Sequence, residues 1–160
     1  MNQADSASPS VGVQELGHIV LYVRDLDASA VFYRDVIGWK PVLEASPGMP
    51  AMAFSSGRTH HELLLIEVGP EAAPIPRGRR VGLYHFGVKV GDSDDELRAV
   101  LARLRQAGVP VLGATDHGVT HSLYVTDPDG NELEIYIDVP GVDWKNHPEL
   151  LMSGTGRLSL

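Results

Sequence analysis

The sequence predicts an α+β domain made of two β-α-β-β-β modules whose strands form a curved mixed sheet around a central cleft. Three observations predict it. The order strand, helix, strands runs through the chain twice. The two runs open alike, with Gly17-His18-Ile19-Val20 and Tyr84-His85-Phe86-Gly87. They also close alike, with His61-Glu62-Leu63-Leu64-Leu65-Ile66 and Asn131-Glu132-Leu133-Glu134-Ile135-Tyr136. Self-similarity of this kind is an architectural signal. Neither curved half-sheet would bury its inner face alone, so the two are expected to pair into one cleft.

The elements follow in order. Residues 1–13, rich in Ser, Pro, Ala and Asp, are expected to be a disordered lead-in. A single domain is expected over 14–140, with modules at about 16–68 and 82–139. In the first module, residues 18–23 read as a strand ended by a polar break at Arg24-Asp25, and Leu26, Ala30, Tyr33 and Ile37 have helical spacing up to a stop at Gly38. Strands are expected near 51–55 and 61–68. A Pro- and Gly-rich joint, Gly69 to Gly82, ends this half. The second module opens with a strand over 84–90. Its helix is announced by Ser93 and Glu96, a capping-box pair, and carries Leu97, Val100, Leu101 and Leu104 on one face. Strands are expected near 109–112, 120–126 and 132–138, with Asp127-Pro128-Asp129-Gly130 as a turn between the last two. The tail 141–160, with Trp144, Leu150, Leu151 and Met152, reads equally as a cover for a pocket or subunit interface and as a frayed end.

Composition narrows the chemistry. The 160-residue chain carries a formal charge of −8, which argues against a nucleic-acid partner. Its one basic cluster, Arg77, Arg79 and Arg80, lies among Gly and Pro and reads as a solvated loop. The absence of cysteine removes disulfides, thiolate metal sites and cysteine nucleophiles. Any metal must then sit on His, Asp or Glu, which suits Fe(II), Mn(II), Ni(II) or Zn(II). MNQADSASPS lacks the basic and apolar regions of a secretory signal, and no apolar run approaches a membrane span, so no membrane partner and a cytoplasmic location are expected.

Three residues stand out as metal ligands. Either His18 or His85 alone would read as an ordinary core or edge histidine. Because both occupy the same position in equivalent modules, they can instead converge across the cleft. Glu134 lies between Leu133 and Ile135 in an otherwise apolar strand. A buried carboxylate there would need a partner or a metal, although alternation could also point it to solvent. Two imidazoles and one carboxylate match the facial triad of non-haem Fe(II) sites.

These residues carry a resemblance. The segment 17–39, Gly-His-Ile-Val-Leu-Tyr-Val-Arg-Asp-Leu through Phe-Tyr-Arg-Asp-Val-Ile-Gly-Trp, resembles the usual opening of the vicinal oxygen chelate superfamily. Thr115-Asp116-His117 and, five residues on, Leu123-Tyr124-Val125-Thr126-Asp127-Pro128-Asp129-Gly130 ending at Glu134 resemble the signature of its type I extradiol ring-cleavage dioxygenases, the catechol 2,3-dioxygenase-like class. The resemblance spans about Leu16 to Asp138. It implies Fe(II) foremost, or Mn(II) or another divalent metal, on His18, His85 and Glu134. It implies an acid/base role for His61 rather than His60, and contacts from His117 and Tyr124 to the oxygens of a bound aromatic diol. The reaction implied is O₂-dependent opening of the ring beside the diol.

The well-known extradiol enzymes have four such modules, whereas this chain has two. That difference implies a homodimer or higher homo-oligomer, with a partner subunit helping to close the pocket. Related glyoxalase-like lyases and epimerases take a fourth ligand from the first module's last strand. There the internal alignment sets Leu64 against Glu134, with Glu62 and Glu67 two and three positions away. Drug-sequestering proteins of the bleomycin-resistance kind form a third, metal-free reading. His121 is read either as supporting the site from behind or as facing solvent.

Overall fold

The computed structural model describes residues 12–160, so the expected lead-in lies almost wholly outside the described residues. The first half contains β1 (Ile19–Val23), α1 (Leu26–Val31), a π-helical continuation (Phe32–Ile37), β2 (Lys40–Leu43), β3 (Ala51–Ser55) and β4 (Leu63–Glu67). The second contains β5 (His85–Gly91), α2 (Asp94–Gln106), β6 (Gly113–Asp116), β7 (Thr120–Thr126) and β8 (Glu132–Asp138). A short 3₁₀ turn (Pro148–Met152) and β9 (Gly156–Arg157) complete the chain. The α+β class and the repeated β-α-β-β-β order are as expected. The strands form two separate mixed sheets, ordered β1-β4-β3-β2 and β5-β8-β7-β6-β9, rather than one.

Each sheet buries one face against its own helix. In β1, Leu21 and Val23 point inward while His18, just before the strand, and Val20 and Tyr22 point outward, the period-2 alternation of a half-covered sheet. Leu97, Val100, Leu101 and Leu104 of α2 are all buried, as their spacing predicts. Burying each contributes about 1.5–3 kcal/mol, against about 1 kcal/mol for an end cap. Packing therefore holds α2, and capping sets where it starts. Glu96 accepts from the Ser93 hydroxyl (2.9 Å) and the Asp92 amide (2.8 Å), a clasp just before the helix that replaces the predicted box, since the Ser93 side chain caps no helix amide.

Several local expectations are corrected. The first helix changes from α to π at Phe32, and this widened turn buries Phe32, Tyr33, Val36 and Ile37 together. It stops where predicted, at Gly38, whose φ of +92° is left-handed. A Cβ there would also lie 3.0 Å from the Arg103 guanidinium of α2. β2 has little sequence signal, and its Pro41 is tolerated because the strand is an edge. β6 forms at 113–116 instead of 109–112, because Val109 and Val111 serve as core-packing coil. The tail is partly structural: β9 pairs with β6, and Leu158 and Leu160 pack on the core.

Long-range polar contacts tie the halves together at the β7–β8 turn. Asp127, 5% exposed, accepts from the Tyr33 hydroxyl at 2.8 Å, and also from the Asn131 amide and side chain and the Asp129 amide. Asp129 in turn accepts from the Arg24 amide at 3.0 Å and its guanidinium at 3.2 Å. Across the helices, Arg103 donates to the Ile37 carbonyl at 3.0 Å.

Candidate metal and diol site

The second sheet presents four of the expected residues on one face. The parallel register of β5 and β8 sets His85 beside Glu132 and Gly87 beside Glu134, while β7 sets Tyr124 directly opposite Glu134. His85 Nε2 lies 3.3 Å from Glu134 Oε2. The Tyr124 hydroxyl donates to Glu134 Oε1 at 2.9 Å and lies 2.8 Å from His117 Nε2. His117, in the turn after β6, is itself 3.6 Å from Glu134. Burial, and then the hydrogen bond to Glu134, push the Tyr124 hydroxyl well above the usual tyrosine range, so it keeps its proton.

The first sheet presents a different set. His18 stacks at a ring separation of 4.6 Å on His61, which stands 4.4 Å from His60. The Nδ1 atoms of His60 and His61 are 2.6 Å apart, so one must carry the shared proton. Loss of solvent, then the neighbouring His60 and His18, lower the pKa of His61 below the ordinary histidine value. The register Ile19↔Leu63 in the first sheet matches Phe86↔Leu133 in the second. Leu64 therefore occupies the position of Glu134, as the internal alignment predicts.

Both alternative fourth ligands are engaged elsewhere. Burial alone would raise Glu62, but the Ser56 amide and hydroxyl, the Trp39 indole and Arg58 outweigh it and hold the carboxyl below the usual range. Glu67 Oε2 accepts from the Leu26 amide at 2.9 Å at the start of α1. His121 lies on the opposite face of its sheet from Tyr124, 2.6 Å from Asp94 and 3.6 Å from Asp116, and so packs against the start of α2. The sequence reading missed Gly87, the residue beside Glu134, where a Cβ would come within 3.1 Å of Tyr136. A glycine inside a strand is the signal that could have found it.

His85 and Glu134 suit a divalent metal. Neighbouring ligands of an ion bound at ordinary metal–nitrogen distances stand about 3 Å apart, close to the observed 3.3 Å. His85 Nδ1 is buried with no hydrogen-bond partner, its nearest carboxylate being Glu132 at 3.7 Å.

His18 does not join them within one chain. Arg24, just past the end of β1, meets Asp129 beside the start of β8, where His85 also begins its strand. His18, before β1, instead lines a cleft of about 1110 Å³ together with Lys89, Val90 and Gly91 at the far end of β5. The two edge strands thus run in opposite directions, and six residues of strand cover about 20 Å. Among the described residues, no group of three or more His, Asp or Glu side chains could hold a metal ion within a single chain.

Comparison with known proteins agrees with this architecture. Residues 15–135 match the model of the Glyoxalase/Bleomycin resistance protein/Dioxygenase superfamily, and the chain belongs to that superfamily. It is 37% identical over 134 residues to a catechol-2,3-dioxygenase of Bacillus subtilis, covering 84% of this chain and 45% of the relative. It is 36% identical over 126 residues to biphenyl-2,3-diol 1,2-dioxygenase 3 of Rhodococcus globerulus, covering 77% and 63%. The chain thus spans about half the length of these curated relatives. Among solved structures, lactoylglutathione lyase from Agrobacterium tumefaciens aligns with a TM-score of 0.57 at 32% identity, covering 78% of this chain and 94% of that one. No helix among the described residues is long and apolar enough to cross a membrane.

Proposed function

We propose that this protein is an extradiol dioxygenase that acts as a homo-oligomer to open a catechol-type ring with O₂, using a divalent metal, Fe(II) foremost, held by His85 and Glu134 of one chain with His18 of another, whose His61 lies beside that histidine. The observation that carries the reading is the hydrogen-bonded set His117–Tyr124–Glu134 with His85 beside it. Its residue types suit a diol: one ligand carboxylate, one retained phenolic proton and one imidazole in line. The 37% relationship to a protein named catechol-2,3-dioxygenase supports the same reading. When bound, the metal supplies a Lewis-acid and redox centre with open positions for diol and O₂.

The remaining steps belong to the protein. Tyr124 keeps its proton and, when a diol binds, turns it from Glu134 to a diol oxygen, while His117, 2.8 Å from the phenol oxygen, steadies the hydroxyl. His61, whose pKa is lowered, is neutral at pH 7 and accepts a proton from a diol hydroxyl; protonated, it returns that proton as the ring opens. Its contact with His60 orients the ring and fixes which nitrogen is free.

The lyase from Agrobacterium tumefaciens, matched over almost its whole length, favours a second reading as a glyoxalase-like lyase. The occupied Glu62 and Glu67 weigh against it, since neither is free as a fourth ligand. Anaerobic loading with Fe(II), addition of a catechol panel and admission of air separates the two. Yellow ring-opened product is expected. Isomerisation of a glutathione hemithioacetal, with no catechol consumed, would replace the proposal with the lyase.

A further inference from the structure

We propose that Glu132 is a positioning residue of the metal site, accepting the Nδ1–H of His85 so that the ring turns its Nε2 to the ion. The inference rests on the reading of His85 and Glu134 as metal ligands.

The imidazole of His85 stands between two carboxylates of one strand. Its Nε2 lies 3.3 Å from Glu134 Oε2, and its Nδ1 lies 3.7 Å from Glu132 Oε1. Residues two apart on a strand share a face, and the register sets His85 directly beside Glu132. The two carboxylates have different surroundings. Glu134 accepts from Tyr124, whose oxygen meets His117, and so belongs to the diol side. Glu132 instead meets Tyr84, and its charge, then its hydrogen bond, raise the pKa of that tyrosine. The Tyr84 ring in turn packs on His85 at 4.6 Å. The fellow ligand and the orienting acceptor are thus divided between the two nitrogens of one ring.

Proton count makes the acceptor necessary. A neutral imidazole has one N–H and one lone pair. With the lone pair of Nε2 committed to an ion, the proton stays on Nδ1. That nitrogen is buried and has no partner among the described residues, so its N–H would be stranded. Histidine ligands generally give this second N–H to a carboxylate or carbonyl, which fixes the tautomer and makes the bound nitrogen more basic. Glu132 has only to close from 3.7 Å to about 2.9 Å, a small turn about its side-chain bonds. Its backbone is held meanwhile, because Asp127 accepts from the amide and side chain of Asn131, one residue earlier.

Metal affinity tests this directly, by anaerobic titration with Fe(II) against a chromophoric chelator. Glu132→Ala is expected to weaken Fe(II) binding about 10- to 100-fold. Glu132→Gln keeps an acceptor oxygen and is expected to recover most of that loss.

Zn(II), which is diamagnetic, supplies a readout that a merely structural role would not move. In a long-range ¹H–¹⁵N spectrum of the Zn(II)-loaded protein, His85 should carry its proton on Nδ1, shifted downfield by the carboxylate. At saturating Zn(II), Glu132→Ala should lose that downfield shift. Unchanged Fe(II) affinity in Glu132→Ala, a glutamine variant no better than the alanine one, or a His85 proton indifferent to the substitution overturns the proposal and leaves the ligands in place. An unsubstituted protein that binds no Fe(II) overturns the ligand reading itself, and this inference with it.

Discussion

The first sheet pairs Val20 with Leu64 where the second pairs Gly87 with Glu134. Backbone register is the same in both halves, yet one pair is two apolar side chains and the other is a carboxylate beside a glycine, where a Cβ would meet Tyr136 at 3.1 Å. The helices differ in the same spirit. The second is a regular 13-residue α-helix with an acidic first turn, and the first widens into a π turn that sends Tyr33 to Asp127 in the other half. One half supplies the carboxylate and the Tyr124 hydroxyl bonded to it; the other supplies the cluster of His18, His60 and His61. A duplicated scaffold can therefore specialise each copy while keeping the relation that brings them together.

Exchanging residues between equivalent positions breaks this comparison directly. Glu134→Leu gives the second half the residue of the first. It should abolish metal binding and ring cleavage, measured by metal content and product absorbance, while the fold persists by circular dichroism. His61→Asn gives the first half the residue found at 131. It should lower kcat by about 10² to 10⁴, with bound metal unchanged.

Stability probes sharpen it further. Tyr33→Phe removes a hydrogen bond to a buried carboxylate and should cost about 1.5–3 kcal/mol in denaturant unfolding. Burial, then Asp127, raise the Tyr33 pKa well above its ordinary value. Its contribution is thus full below about pH 10, where an unfolded tyrosine still holds its proton, and fades at higher pH as the folded group ionises. The Phe variant should lack that alkaline decline. Glu96→Ala removes the carboxylate that accepts from the Asp92 amide and the Ser93 hydroxyl ahead of α2 and should cost about 1 kcal/mol, leaving metal content unaffected.

Much of the local structure was legible in the residues. Apolar runs marked β1, β7 and β8, and the i, i+3, i+4, i+7 set marked the buried face of α2. Gly38 marked a left-handed stop because only glycine adopts that conformation without strain. The same pattern placed Leu64 at the position of Glu134, and the observed register agrees. β2 and β6 were less legible. Lys40-Pro41-Val42-Leu43 and Gly113-Ala114-Thr115-Asp116 have weak strand preference and are recruited by β3 and β7 beside them.

The sequence by itself determined the repeat, the faces each element buries and the types of side chain offered to a metal and a diol. Only the tertiary structure decided which of those side chains meet. Periodicity records that a face is covered, not which module covers it. The direction of β1 against β5 is set by Arg24–Asp129, Tyr33–Asp127 and Arg103–Ile37, contacts between residues 66 to 105 positions apart. The β5–β8–β7 register puts His85, Glu134, His117 and Tyr124 together, and those contacts hold His18 and His61 at the other end of the chain's own sheet edge.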